Sequence, residues 1–155
     1  VPRLFALAQH VQTCTEFGVR GGVSTIATLY AQPLTMRCYD LNPCRIIDEL
    51  QAVRGRTDLQ FFQADTRTMP VIERTELLFI DTTHTYECLK TELSRHAHMV
   101  SRFLAFHDTF SNAVVGDDGG PGLWKAIGEL LAQGQWAVVE HTRDNCGFTV
   151  LERLR

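Results

Sequence analysis

CTEFGVRGGVST, residues 14–25, runs from β-forming residues through a glycine turn into Ser-Thr. The order strand, turn, helix start follows from the residue types. Val11 to Phe17 is rich in β-branched and apolar residues, Gly18, Gly21 and Gly22 free the backbone for positive φ, and Ser24-Thr25 suit the free N–H groups of a first helical turn. In an open α/β sheet such a turn lies at the carboxyl ends of the strands, where ligands bind. Glu16 brings a carboxylate to that edge. The spacing Gly18-x-x-Gly21-Gly22 misses the dinucleotide pattern G-x-G-x-x-G, and a nearby carboxylate opposes a pyrophosphate. A merely structural tight turn is the competing reading.

Outward from this turn, β-rich runs alternate with helical patterns. The runs are 11–17, 36–41, 59–65, 76–81, 103–108 and 136–141. Val23, Ile26, Ala27 and Tyr30 form a stripe expected to lie on the sheet, as do Ile46, Leu50 and Val53. Tyr86, Leu89, Leu93, Ala97 and Val100 continue the pattern, and Trp124, Ile127 and Leu131 repeat it after Pro121-Gly122. The alternation predicts a doubly wound, Rossmann-like α/β sheet with helices on both faces. After WAVVEH, the six residues TRDNCG are too few for a parallel crossover, so FTVLERL should return antiparallel. The expected sheet has seven strands, mostly parallel, with an antiparallel last strand. The loop 108–122, rich in Gly and Asp, reads as a lid or mobile segment.

The 155 residues suit one domain, 1–155. A formal net charge of −3 gives no broad cationic surface, which disfavours nucleic acid as a partner. Five cysteines without a CxxC pair predict reduced thiols and a cytoplasmic location. No apolar run approaches the roughly 20 residues that span a bilayer. The first strand starts about ten residues in, which leaves room for a further N-terminal segment.

Three successive strands each deliver an acid to one edge of the sheet: Glu16 in TEF, Asp40 in YDLNP and Asp65 in QADT. Any one of these alone reads as a cap or turn former. Together with the glycine turn and followed by Asp81 in FID, they resemble class I S-adenosylmethionine-dependent methyltransferases. The closer resemblance is to the small branch of cephalosporin-hydroxylase-type and macrolide-sugar O-methyltransferases, with its E-x-G-x-x-x-G-x-S-T turn. Phe79-Ile80-Asp81-Thr82-Thr83-His84-Thr85-Tyr86-Glu87, Phe106-His107-Asp108-Thr109 and Gly147-Phe148-Thr149-Val150-Leu151 resemble further segments of that branch. The likeness runs from residue 11 to about 154. Val100-Ser101-Arg102-Phe103 departs from the branch's Pro-Gly-Gly-like turn.

The resemblance implies that Gly18, Gly22 and Ser24 lie against the methionine part of S-adenosylmethionine, with Glu16 orienting its amino-acid end directly or through water. It implies that Asp40 and Leu41 hold the ribose and that Asp65 and Thr66 face the adenine, with Asp81 closing the site. It further implies transfer to a hydroxyl of a small molecule or glycan. Asp81, His107 and Asp108, at the ends of neighbouring strands, could converge on Mg²⁺ or a softer divalent cation. His84 stands as a general base or a helix cap, beside Asp81 and His107 as catalytic groups. His96 and His98 read as solvated, Asp117-Asp118 as a solvated loop or a ligand pair, and Trp124 and Trp136 as core. The competing classes are a scaffold that keeps the fold without turnover and a dinucleotide-dependent oxidoreductase. A homo-oligomer stays open.

Overall fold

The computed structural model describes residues 2–155. Seven strands form one sheet: β1 (Thr13–Phe17), β2 (Thr35–Asp40), β3 (Asp58–Gln63), β4 (Thr75–Ile80), β5 (Val100–His107), β6 (Trp136–Thr142) and β7 (Phe148–Arg153). Their order is β3-β2-β1-β4-β5-β7-β6, with β7 antiparallel to both neighbours and the others parallel. This is the doubly wound arrangement expected from the alternation of runs, including the antiparallel return after residue 142.

The helices are α1 (Pro2–Ala8), α2 (Val23–Tyr30), α3 (Ile46–Val53), α4 (Tyr86–His96) and α5 (Leu123–Leu131). Because both faces of the central strands are covered, β4 and β5 read as almost unbroken apolar runs. One face packs Phe17, Leu78, Ile80, Leu104 and Phe106 against α4 and α5. The other packs Met36, Cys38, Leu77, Phe79 and Ala105 against α1, α2 and α3. Helix α1 has no counterpart in the sequence reading, because its seven residues carry neither a cap signal nor a long stripe.

Three helical expectations need correction. Of the stripe expected on α2, Ala27 does face the sheet, with Thr25, Thr28 and Leu29, but Val23, Ile26 and Tyr30 face outward, Val23 being 62% exposed and Tyr30 77%. The cause is Glu16, whose buried carboxylate draws the Ser24 and Thr25 hydroxyls toward it and so fixes the helix's rotation. On α3 the buried pair is Ile47 and Leu50, and Val53 is 70% exposed. On α5 the buried face is Leu123, Ala126, Ile127 and Leu130, with Trp124 half-buried. The α4 stripe is buried as expected, although Val100 already belongs to β5.

His96 is also corrected. It is fully buried, its Nε2 lies 2.8 Å from the Thr66 carbonyl, and the Ile72 N–H points at its Nδ1. The neutral ring therefore ties segment 66–72 to α4, and burial lowers its pKa. The loop 108–122 is extensively hydrogen-bonded: Asp117 N–H donates to the His84 carbonyl, and Gly122 N–H to Val114.

Register decides what meets at the sheet's carboxyl edge. Phe17 pairs with Ile80, and Ile80 with Phe106, so Gly18, Asp81 and His107 emerge side by side. Phe148 pairs with both His107 and Thr142, which delivers the 143–147 turn to the same edge.

Candidate active site

Two adjoining chambers open at this edge. The first, about 370 Å³, is lined by residues including Tyr39, Asp40, Leu41, Asp65, Thr66 and His84. The second, about 410 Å³, is lined by residues including Leu4, Val19, Ser24, Phe79, His107 and Phe148. Gly18, Arg20 and Asp81 border both. Each volume falls within the range of small-molecule sites.

Asp40 is held by the glycine turn. Its Oδ2 accepts from the Val19 and Arg20 N–H groups at 2.9 and 3.0 Å, and its Oδ1 from Asn42 N–H at 2.8 Å. Burial opposes ionisation, but these three backbone donors outweigh it and hold the pKa below the ordinary value. A carboxylate offers about four lone-pair sites, so one on Oδ1 is left for a hydroxyl. The two hydroxyls of a ribose would need two such sites, so the carboxylate is one short while the turn keeps this form.

Glu16 is 2% exposed and lines neither chamber. Its oxygens accept from Ser24 Oγ, from Thr25 Oγ1 at 2.7 Å and from the Cys38 thiol at 3.5 Å. Desolvation raises its pKa to about 7 against the opposing pull of these donors. Any influence on a ligand passes through Ser24, which does line the second chamber.

Gly22 also differs from expectation. A Cβ there would sit 3.0 Å from the Ile46 side chain, so its smallness lets α2 pack on α3, whereas Gly21 faces open space along the second chamber. Asp65 is engaged by Arg67, with Nε–Oδ1 at 2.9 Å and Nη2–Oδ2 at 2.7 Å. Thr66 turns its hydroxyl inward to Glu92, a buried acid that the sequence reading missed because it sits within the α4 pattern. Thr82 Oγ1 donates to the same carboxylate at 3.0 Å. Burial raises Glu92 to about 7.

Asp81, His84, His107 and Asp108 do converge. His84 Nε2 lies 3.2 Å from Asp81 Oδ1 and 2.9 Å from Asp108 Oδ2, and its Nδ1 lies 3.2 Å from Asp117 Oδ2. The hydrogen bond to Asp81 raises the His84 pKa, opposed by burial and aided by Asp108 and Asp117. Thr85, not His84, caps α4, accepting from Cys88 N–H. His107 Nδ1 lies 3.1 Å from Asp108 Oδ2 and 3.8 Å from Asp81 Oδ1. Asp108 has φ 55°, a strained value for a non-glycine residue that breaks the alternation of the strand. It lets His107 and Asp108 face one point.

Asn145, unremarked in the sequence, reaches this cluster from the 143–147 turn, its Nδ2 lying 3.1 Å from His107 Nε2. As oriented, the amide donates to Nε2 and leaves the ring proton on Nδ1, directed at Asp108. Turning the amide over reverses both and frees the Nδ1 lone pair.

One ligand atom each from Asp81, His107 and Asp108 lie within 4.8 Å of one another. Neighbouring ligands about 2.1 Å from an octahedral ion are about 3 Å apart, so the 3.1 and 3.8 Å separations are close to what a divalent ion needs.

Solved structures with this architecture carry methyltransferase activities. N-methyltransferase NodS from Bradyrhizobium japonicum WM9, in complex with S-adenosyl-L-homocysteine, is 13% identical, with 99% of this chain and 85% of that one covered and a TM-score of 0.72. The fold is that of class I S-adenosylmethionine-dependent methyltransferases. The 1,6-didemethyltoxoflavin-N1-methyltransferase of Burkholderia thailandensis, with bound 1,6-didemethyltoxoflavin and S-adenosylhomocysteine, is 12% identical, with 99% of this chain and 80% of that one covered and a TM-score of 0.67. O-methyltransferase NcsB1 from neocarzinostatin biosynthesis is 16% identical at a TM-score of 0.65, with 94% of this chain matching 50% of that one. No family model and no curated protein sequence matches the chain. At these identities the methyltransferase fold is what the likeness carries. Among the described residues no helix is long and apolar enough to cross a membrane.

Proposed function

We propose that the protein is an S-adenosylmethionine-dependent methyltransferase acting on a hydroxyl oxygen of a small molecule or sugar. The observation that carries this reading is the convergence of Asp81, His84, His107 and Asp108, with His84 on the first chamber, His107 on the second, Asp81 on both and Asp108 behind them. When bound, S-adenosylmethionine supplies an electrophilic methyl group on a sulfonium. Asp40 Oδ1 takes one ribose hydroxyl, the Asp65–Arg67 pair and Thr66 flank the base, and the bare Gly18 backbone admits the methionine portion.

For the acceptor, the chain must align a hydroxyl and remove its proton. His84 was expected as the base, but it sits among three carboxylates that favour its protonated form. Protonated His84 instead donates to Asp81 or Asp108 and to Asp117, and so orients the carboxylates. The acceptor's proton then goes to a carboxylate oxygen of Asp81 or Asp108. A divalent cation, if held by Asp81 Oδ1, His107 Nδ1 and Asp108 Oδ2, supplies Lewis acidity that makes the hydroxyl easier to deprotonate.

The second reading is a scaffold without turnover. It is favoured by the prior engagement of Asp40 by the turn and of Asp65 by Arg67. Calorimetric titration with S-adenosylhomocysteine, with and without Mg²⁺, separates the two. Micromolar binding that tightens or changes enthalpy with Mg²⁺ supports the enzyme. No binding in either condition leaves the scaffold.

A further inference from the structure

Helix α2 has no charged residue in Val23–Tyr30, although its outer face is in water. Val23, Ile26 and Tyr30 form a stripe on that face, and Val53 of α3 continues it across a groove of about 450 Å³ lined by Ile26, Leu29, Tyr30, Gln32, Leu50 and Val53. Solvated helices normally carry charge on the outer face, and contiguous exposed apolar patches mark contact surfaces.

We propose that a second copy of this chain docks on the α2–α3 face in an isologous, two-fold dimer. The charge layout argues for a self-complementary partner. Both helices follow parallel strands, so both run from the cleft edge toward the far edge of the sheet. The near end of α3 carries Asp48 and Glu49 against Arg45, and the far end carries Arg54 and Arg56 against Asp58. The two ends thus have opposite net sign. None of these six side chains joins an ion pair within the chain among the described residues.

A two-fold axis across the helices sets the near end of one copy against the far end of the other. Glu49 then meets the partner's basic end while the Val23, Ile26, Tyr30 and Val53 stripes cover each other. Helices of eight residues are about 12 Å long, so the contact is small and the dimer is expected in the micromolar range. The site chambers stay open, because only Val23 borders both the stripe and the second chamber.

Sedimentation velocity between about 1 and 200 µM tests this directly, with micromolar dissociation expected. Tyr30→Glu and Val53→Glu should each give monomers across that range. Both side chains are exposed, so thermal melting at submicromolar concentration, where the wild type is also monomeric, should be unchanged and separates lost docking from lost folding. Glu49→Arg and Arg56→Glu should each weaken the dimer about tenfold or more, and the double variant should regain most of the affinity. A wild-type monomer at the highest concentration overturns the proposal. So does a dimer that survives Tyr30→Glu and Val53→Glu, which would put the contact elsewhere, such as the β6 edge where Val138 and Val139 are exposed.

Discussion

The α-carbon of Gly18 lies so close to the end of β4 that an added Cβ would fall 2.0 Å from the Asp81 carbonyl oxygen. Gly18 also has φ 86°, which disfavours any L side chain. This glycine is needed by the packing of two strand ends, before any ligand is considered. The site acid Asp81 is therefore positioned by the same contact that admits the turn.

Gly18→Ala is expected to cost about 3 kcal/mol or more, from left-handed strain plus a backbone clash. Gly21→Ala meets nothing within 4 Å and should leave unfolding within about 0.5 kcal/mol. Urea denaturation of both variants is the check. Equal stabilities would remove the packing argument for Gly18.

Asp40→Ala removes the acceptor of the Val19 and Arg20 N–H groups as well as the candidate ribose contact. Both effects act on the same turn, and losing a charged acceptor of this kind costs about 1.5–3 kcal/mol, or at least tenfold in affinity. Titration with S-adenosylhomocysteine should show that loss. An unchanged affinity would remove Asp40 from the cofactor site.

All seven strands and the antiparallel return were legible because their residue types and loop lengths admit little else. The acids at the strand ends were legible for the same reason: each follows a readable strand. What escaped the sequence depends on direction. Val23, Ile26 and Tyr30 have a proper helical period, but period cannot say which face meets the sheet, and here the buried Glu16 rotates the helix by its hydroxyl partners. His96 sits in a polar stretch, yet a carbonyl and an N–H facing it make burial affordable. Asn145 reaches His107 across 38 residues, a contact that only the β5–β7 pairing creates.

If Asp81, His107 and Asp108 hold a cation, Mn²⁺ should bind and Asp108→Asn should abolish it. Asn145→Ala should weaken Mn²⁺ about 10–100-fold, because His107 loses the amide oxygen that, once the amide is turned over, would hold the ring proton on Nε2 and free Nδ1 for the cation. Paramagnetic resonance of free Mn²⁺ reads both, and binding of S-adenosylhomocysteine to the Asn145→Ala protein should persist. No Mn²⁺ uptake by the wild type leaves the rings of His84 and His107 as the partners of Asp81 and Asp108.

Glu92 makes stability depend on pH in an uncommon direction for a carboxyl group. Its pKa is about 7 in the folded chain against 4.5 for the free group, so between these values the folded state binds more protons than the unfolded one. Stability is therefore greatest below pH 4.5 on account of this group, falls as pH rises to about 7, and is flat above. The size is of the order of 3 kcal/mol, from 2.5 pH units at 1.36 kcal/mol each. Glu16 adds a loss of the same sign, and His96, buried neutral, acts oppositely as pH falls below its ordinary value. Glu92→Gln cancels only the first of these. The amide imitates the protonated acid, with its oxygen accepting from one of Thr66 and Thr82 and its N–H₂ donating to the other hydroxyl. The stability difference between Glu92→Gln and wild type, from urea denaturation at pH 5 and pH 8, should move in the variant's favour at the higher pH by about 1–3 kcal/mol. A difference independent of pH would mean that Glu92 is ionised in the folded chain throughout that range.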